Sequence, residues 1–301
     1  MRVVVTGSSG FIGEHLCSAL HKAGAEVIGI SRSQHPQSMM TTARVDLNDA
    51  DATAAFLDKV RPETIVHLAW SIPRTTFWTS PDNLDCLAMT CSLARSAAEC
   101  GVRRFVGIGT CFEYDWPNVG VCNEYVTGTR PHTLYDVCKD ASRRVLDSLF
   151  HSSKTAFAWA RIFFLYGPAE DSHRLVASIS RDLLAGRPAL CSAGDVTRDY
   201  LHVADAGAAL AALALSDVVG PVNIGSGQGR RISDIVTRLA AVAERSHLLR
   251  LGALPTRLGD PERIVADIGR LQAEVGYVPT IALDDGLQSC LSYWRTFGND
   301  V

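Results

Sequence analysis

The sequence is poor in lysine: only Lys22, Lys59, Lys139 and Lys154 occur, and arginine supplies the other basic residues. It has no long run of one charge, and 29 basic against 32 acidic residues leave a net charge of −3. Nucleic acid and anionic membrane are disfavoured as main partners, since both call for a concentrated basic surface. No apolar run approaches the roughly 20 residues of a membrane-spanning helix. The N-terminal "VVV" meets Thr6-Gly7 at once, too early for the apolar core of a signal peptide. A cytoplasmic location is expected by default. The nine cysteines are an odd number and include no C-x-x-C pair. Neither a disulfide framework nor a metal site is expected. Internal repeats and low-complexity tracts are missing too.

What the chain does contain is alternation. "RVVVT" (2–6), "EVIGI" (26–30), "ARVDL" (43–47), "TIVHLAW" (64–70), "RFVGIGT" (104–110) and "TAFAWARIF" (155–163) read as strands. Residues 11–24, 51–60, 82–100 and 135–151 carry helical spacing between them. Continuous apolar strands separated by helices are βαβ units, which assemble into a parallel sheet covered on both faces. The expectation is an α/β chain with a doubly wound parallel sheet and a second, smaller α/β domain. The first domain is expected over 1–165, with a return at about 196–225. Residues 166–301 make the smaller, discontinuous one, with helices at 173–185, 203–216, 232–246 and 284–297. Helices 82–100 and 135–151 have apolar faces broader than one sheet contact needs; one continuous core or a dimer interface would absorb them.

"TGSSGFIG" sets Gly7, Gly10 and Gly13 between the first strand and the first helix. Gly7 permits a tight turn, Gly10 lets the backbone approach a pyrophosphate, and Gly13 lets helix and strand pack closely. Phosphates then face the positive end of the helix dipole. The spacing alone is weak in a chain with 24 glycines. Its place after "RVVV" and before an amphipathic helix favours a dinucleotide site over a structural turn. The second strand ends "GISRS", with no acid for the adenosine ribose of NAD. Ser31, Arg32 and Ser33 suit a 2′-phosphate instead, because guanidinium binds phosphate in a bidentate, charge-assisted way. NADP is expected, with NAD the alternative; a merely solvated Arg32 is the plain reading. Asp46 ends the third strand, facing either the adenine amino group or, as a cap, the next helix.

In "YDVCK", Tyr135 and Lys139 are four apart and share a helix face. A phenol has an ordinary pKa of about 10, and a nearby ammonium favours its ionised form. Tyr135 can then give a proton to a ketone oxygen while hydride arrives at the carbonyl carbon. Thr110, at the end of "RFVGIGT", can hydrogen-bond the same oxygen. Alone, such a pair is usually a packed ring beside a solvated amine. With the glycine loop and Thr110 in register, the catalytic reading is the better one.

These motifs, followed or accompanied by "HLAW" (67–70), "GIGTCFEY" (107–114), "ARIFFLYGP" (160–168), "TRDYLHVADA" (197–206), "NIGSG" (223–227) and "RLGD" (257–260), run through nearly the whole chain. Together they resemble the extended branch of the short-chain dehydrogenase/reductase superfamily, which works on nucleotide-activated sugars. The resemblance implies a Rossmann fold, a smaller substrate domain and a homodimer through helices 82–100 and 135–151. It implies that Ser9, Phe11, Ile12, Leu47, Leu68 and Ala69 join the residues above around the cofactor, and that Lys139 also holds the nicotinamide ribose. Arg198 and Arg257 match arginines that grip the substrate diphosphate; the plain readings are salt bridges to Asp199 and Asp260.

The departures narrow the activity. In the 4,6-dehydratases of this branch the equivalent of Thr110 is followed by Asp-Glu, which supports water elimination. Here Cys111 and Phe112 stand there, and a dehydratase of that type is disfavoured. Cys111 and Glu113 are candidate substrate contacts, weighed against a buried thiol and a structural carboxylate. Phe164 stands where relatives usually have Asn. His202 reads as packed rather than basic. Trp70, Arg74 and Trp78 follow the fourth strand, at the sheet edge where doubly wound folds bind ligands. The leading expectation is an NADP-dependent ketoreductase of a nucleotide-diphosphate 4-keto-(deoxy)sugar, similar to reductases that finish a deoxysugar. A nucleotide-sugar epimerase that retains NAD is the alternative. A non-catalytic NADP-sensing protein is the third, though it would not need Tyr135 and Lys139.

Overall fold

Strands whose residues are apolar on both faces need cover on both faces, and this chain supplies it. The computed structural model describes residues 1–31, 41–70, 76–116, 120–256 and 259–297. The first half runs β1 Arg2–Thr6, α1 Phe11–Lys22, β2 Glu26–Ile30, β3 Thr41–Ala43, α2 Ala50–Val60, β4 Thr64–His67, α3 Asp82–Glu99, β5 Arg104–Thr110, α4 Leu134–His151 and β6 Ala156–Ile162. The second runs β7 Phe164–Tyr166, α5 Leu175–Leu184, β8 Ala189–Leu190, β9 Thr197–His202, α6 Val203–Leu215, β10 Gly220–Ile224 and β11 Gly229–Arg231. It continues with α7 Ile232–Val242, β12 Leu249–Arg250, β13 Arg263–Ile264, α8 Gly269–Ala273 and α9 Leu283–Phe297.

Seven strands form one sheet in the order β10-β6-β5-β4-β1-β2-β3, with every neighbouring pair parallel. Side chains alternate across it. Val3, Val5, Val27 and Val66 meet Leu16 and Leu20 of α1 and Leu210 of α6. Val4, Ile28, Ile65 and Phe105 meet Leu57 of α2, Leu93 of α3 and Leu146 of α4. Each fully buried aliphatic side chain contributes about 1.5–3 kcal/mol. This is the doubly wound α/β sheet that the apolar runs imply. Because the strands are parallel, the loops after β1, β4 and β5 all open at one edge.

After β6 the chain leaves that sheet. β7 pairs with β9 in a second, four-stranded sheet that also holds β11 and β13. Helices α5, α7 and α9 bury Leu183, Leu239 and Leu291 together with Tyr166. Then α6 and β10 return to the main sheet. The third strand is shorter than expected and ends at Ala43. Beyond it Asp46 and Asp49 bond to nearby amides and turn the chain, an option that competes with ladder pairing. Helix α7 ends at Val242 rather than 246, with Glu244 left-handed at φ 56°. All nine cysteines are free. Among the described residues no helix is long and apolar enough to cross a membrane.

Candidate active site

The glycine loop joins β1 to α1 at the open edge. Gly7 sits at φ 67°, a conformation that glycine adopts without strain. A Cβ on Gly13 would collide with the Gly7 carbonyl oxygen, so only glycine lets α1 start this close to the turn. Gly10 is the cap of α1 and offers its first amides no side-chain acceptor. Those bare donors at a helix N-terminus fit a dinucleotide diphosphate. Phe11 and Ile12 lie half-buried in the first turn of α1. Ser9 Oγ lies 2.9 Å from Ser31 Oγ, tying the loop to the end of β2. Leu68 and Ala69 follow β4; their amides donate to the Thr6 carbonyl and to Thr6 Oγ1 at 3.2 and 3.1 Å.

Asp46 is exposed, and its Oδ1 accepts from the Asn48 amide at 3.0 Å. It does not cap α2; Asp49 does, accepting from the Ala52 amide at 2.9 Å. Leu47 beside it is buried against the α2 face of the sheet. Arg32, Ser33, Arg74 and Arg257 lie outside the described residues.

The placing of Tyr135 and Lys139 is set by the start of α4. Thr133 caps that helix, and the Thr133 amide donates back to Asp136 at 3.1 Å. Tyr135 and Lys139 thereby face the end of β5. The Thr110 side chain lies beside the Tyr135 phenol and works against the rise in its pKa. Lys139 Nζ donates to the Ile108 carbonyl at 2.9 Å and lies 3.7 Å from the Trp70 ring centre. The Trp70 indole N–H donates to Asn83 Oδ1 at 2.9 Å. Trp70, Phe77 and Trp78 meet the Tyr135 ring edge-on, with ring centres 6.3, 5.3 and 5.8 Å away.

Burial dominates the charge states. It pulls the Lys139 ammonium down to about 7, against the opposing attraction of Glu113. It also pushes the Tyr135 phenol above its ordinary value; Cys111 and Glu113 add to that, and Thr110 opposes it. The expected depression of the phenol by its neighbouring ammonium is thus reversed. A phenol held in its protonated form is a donor rather than a base.

Cys111 and Glu113, expected at the substrate, are enclosed instead, at 1% and 0% exposure. Glu113 accepts from the Thr110 amide at 2.9 Å, the Trp159 indole at 3.0 Å and Arg161 Nε at 2.8 Å. No face of it is open to a sugar. The Cys111 thiol is pushed well up, by burial first and Cys122 next, which makes it a poor acid–base group. Sequence reasoning missed Arg161 and His67. Their signal was a basic residue inside an apolar strand, in "AFAWARIF" and "TIVHLAW". His67 lies 2.8 Å from Thr6 Oγ1 and 2.9 Å from Thr90 Oγ1. Burial, with the Lys139 charge adding, holds its imidazole down at about 3.

On the second sheet, Arg198 is 3% exposed. It donates to the Thr197 and Pro261 carbonyls at 2.8 Å and pairs with Asp260 at 2.8 Å. The alternative pairing with Asp199 is not formed. That carboxylate instead accepts from the amides of Ser226, Gly227 and Ala266 at 2.7, 2.9 and 3.1 Å. Phe164 lies under the Arg198 guanidinium, with its ring centre 5.6 Å away. His202 caps α6 through the Ala204 amide and contacts Ser289 at 3.1 Å, a packed histidine whose basicity burial lowers.

A family model described as the NAD dependent epimerase/dehydratase family matches residues 3–225. The chain is 28% identical to the UDP-glucose 4-epimerase of Mycolicibacterium smegmatis, over 98% of this chain and 99% of that protein. It is 25% identical to UDP-glucuronic acid decarboxylase 1 of Danio rerio, over 97% of this chain and 72% of that one. Among solved structures, the UDP-glucose 4-epimerase of Thermus thermophilus in complex with NAD superposes with a TM-score of 0.86. It is 26% identical, and the match covers 98% of this chain and 99% of that one. The UDP-glucose 4-epimerase of Thermotoga maritima gives a TM-score of 0.88 at 21% identity, over 98% and 99%, a likeness of fold.

Proposed function

The chain belongs to the NAD dependent epimerase/dehydratase family, and we propose that within it this protein is an NADP-dependent ketoreductase of a nucleotide-diphosphate 4-keto-(deoxy)sugar. The observation that carries the reading is the Thr110–Tyr135–Lys139 cluster at the open end of β5, with a phenol held protonated. The bound dinucleotide would supply the hydride. The chain's own residues do the rest. Gly10 and the first amides of α1 hold the diphosphate, Thr110 and Tyr135 receive the ketone oxygen, and the phenol delivers its proton there. Lys139 supplies positive charge beside the alkoxide that develops, which stabilises it in a water-poor site.

The preference for NADP is supported by the end of β2, where Ile30 and the following Ser31 offer no carboxylate for the ribose. In this reading Arg32 takes the 2′-phosphate, and Arg198 and Arg257 flank the substrate diphosphate. Arg198 reaches it by exchanging one anionic partner, Asp260, for another. Residues 166–301, apart from the return at about 196–225, form the part that receives the sugar nucleotide. A second copy of the chain would cover α3 and α4, where Leu84, Val137 and Val145 stand 53%, 44% and 48% exposed.

One observation favours a second reading. The relatives include UDP-glucose 4-epimerases, one of them solved with NAD. An epimerase would use the same three residues and retain its cofactor. Titrating the cofactor-stripped protein with NADPH and NADH separates the two. The ketoreductase reading expects NADPH to bind at least tenfold more tightly; NAD that copurifies, with no NADPH preference, moves the assignment to the epimerase.

A further inference from the structure

Trp70 follows β4, and both of its ends are fixed. Its backbone is held by the turn before it, where the Leu68 and Ala69 amides donate to Thr6. Its ring is held at the nitrogen: the indole N–H donates to Asn83 Oδ1 at 2.9 Å. Asn83, in the first turn of α3, is 1% exposed, and its Nδ2 donates to the Phe77 and Ser80 carbonyls at 2.7 and 2.9 Å. A ring that only fills space needs no such bond. Pinned in this way, the indole turns its face to Lys139, whose Nζ lies 3.7 Å from the ring centre. The same ring meets Tyr135 edge-on, with 6.3 Å between ring centres.

Tryptophan offers a cation the strongest of the aromatic faces. It also differs in kind from the usual partner. A carboxylate at that distance would pair with the ammonium and cancel its charge, whereas a ring quadrupole attracts the ammonium and adds no net charge. The Ile108 carbonyl takes one of the three N–H donors at 2.9 Å, and the indole face meets the same nitrogen. Resting on the ketoreductase reading above, we propose that Trp70, oriented by Asn83, is a positioning residue: its indole face holds the Lys139 ammonium at the end of β5 without neutralising it. A lysine stem is long and flexible, so an ammonium that must stand beside a developing alkoxide gains from being placed beforehand.

Lysine labelled with ¹³C at Cε reports this contact directly, in protein free of dinucleotide and substrate. A proton over the face of an indole is shifted upfield by the ring current. The chain has four lysines, so one Hε resonance should stand upfield of the other three, and its loss in Lys139→Arg assigns it. Spectra are compared below the Lys139 midpoint of about 7, where the ammonium is charged. Trp70→Leu should return the resonance to the position of the others. Trp70→Phe should keep part of the shift, and Asn83→Leu should shrink it with the indole still present. An unshifted Lys139 in the parent, or a shift that survives Trp70→Leu, overturns the proposal. Should Trp70→Leu fail to fold, a full shift retained in Trp70→Phe overturns it instead. Turnover of a nucleotide-linked 4-keto-sugar then reads the role. Trp70→Leu should lose about tenfold or more and Trp70→Phe less, at similar KM; equal turnover in the parent and in folded Trp70→Leu overturns the positioning role. If the resonances behave as expected while the parent reduces no keto-sugar, the function assignment fails and the placing of Lys139 by Trp70 survives.

Discussion

The two ends of the candidate cleft are built from opposite materials. In the glycine loop, residues 7–13 contain no titratable side chain. Binding there rests on bare amides and on the tightness of a turn. At the end of β5 the working groups are side chains, and ionisable ones crowd together: Lys139, His67, Glu113 and Arg161 are exposed by only 5%, 4%, 0% and 2%. The difference separates two jobs. In the proposed reading the loop takes an anion by shape and is indifferent to pH. The β5 end would move a proton in that reading, so its charge states must be set, and burial sets them.

The contrast can be broken most sharply at Gly13. Gly13→Ala forces a methyl against the Gly7 carbonyl, which should cost about 1–3 kcal/mol or more. Dinucleotide binding should be lost equally at acid and alkaline pH, as read by titration and thermal melting. The next effect belongs to the charged end. An unfolded imidazole takes up its proton near 6.5, and buried His67 only near 3. The unfolded chain therefore binds more protons in that window, and stability should fall as pH drops through it. His67→Gln, which can still bridge Thr6 and Thr90, should flatten the loss; melting temperature against pH checks this.

The smallest effect concerns Lys139. Its ammonium loses its proton near 7 when buried and near 10.5 when unfolded. The burial penalty is present in full below about pH 7 and fades as pH rises toward 10.5. Lys139→Met should raise the melting temperature by a few degrees at neutral pH while removing activity, and the gain should shrink at alkaline pH. A lower melting temperature at neutral pH would mean that the Ile108 and Trp70 contacts outweigh the buried charge.

The same contrast explains what was legible in the sequence. A turn that only glycine can make leaves its mark locally, and "TGSSGFIG" was readable from spacing and place. Tyr135, Lys139 and Thr110 were readable because helix and strand periods fix which residues share a face. The charge environment was not, because it depends on residues brought together by the sheet. Glu113 meets Arg161 from 48 positions away, and Arg198 takes Asp260 rather than the adjacent Asp199. The sign of the Tyr135 shift was misjudged for the same reason: the ammonium is local in sequence, and the burial is not. The third strand was placed late because Asp46 and Asp49 turn the chain by side-chain bonds that a β-propensity count does not weigh.

The most direct test of the central claim is the fate of NADPH when the protein meets a nucleotide-linked 4-keto-6-deoxysugar. One NADPH should be oxidised for each 4-hydroxy product, with turnover falling by about 10²–10⁴ in Tyr135→Phe, the range a lost proton donor gives, and with NADPH still bound. Interconversion of C4 epimers by retained NAD, with no net oxidation of NADPH, would contradict it.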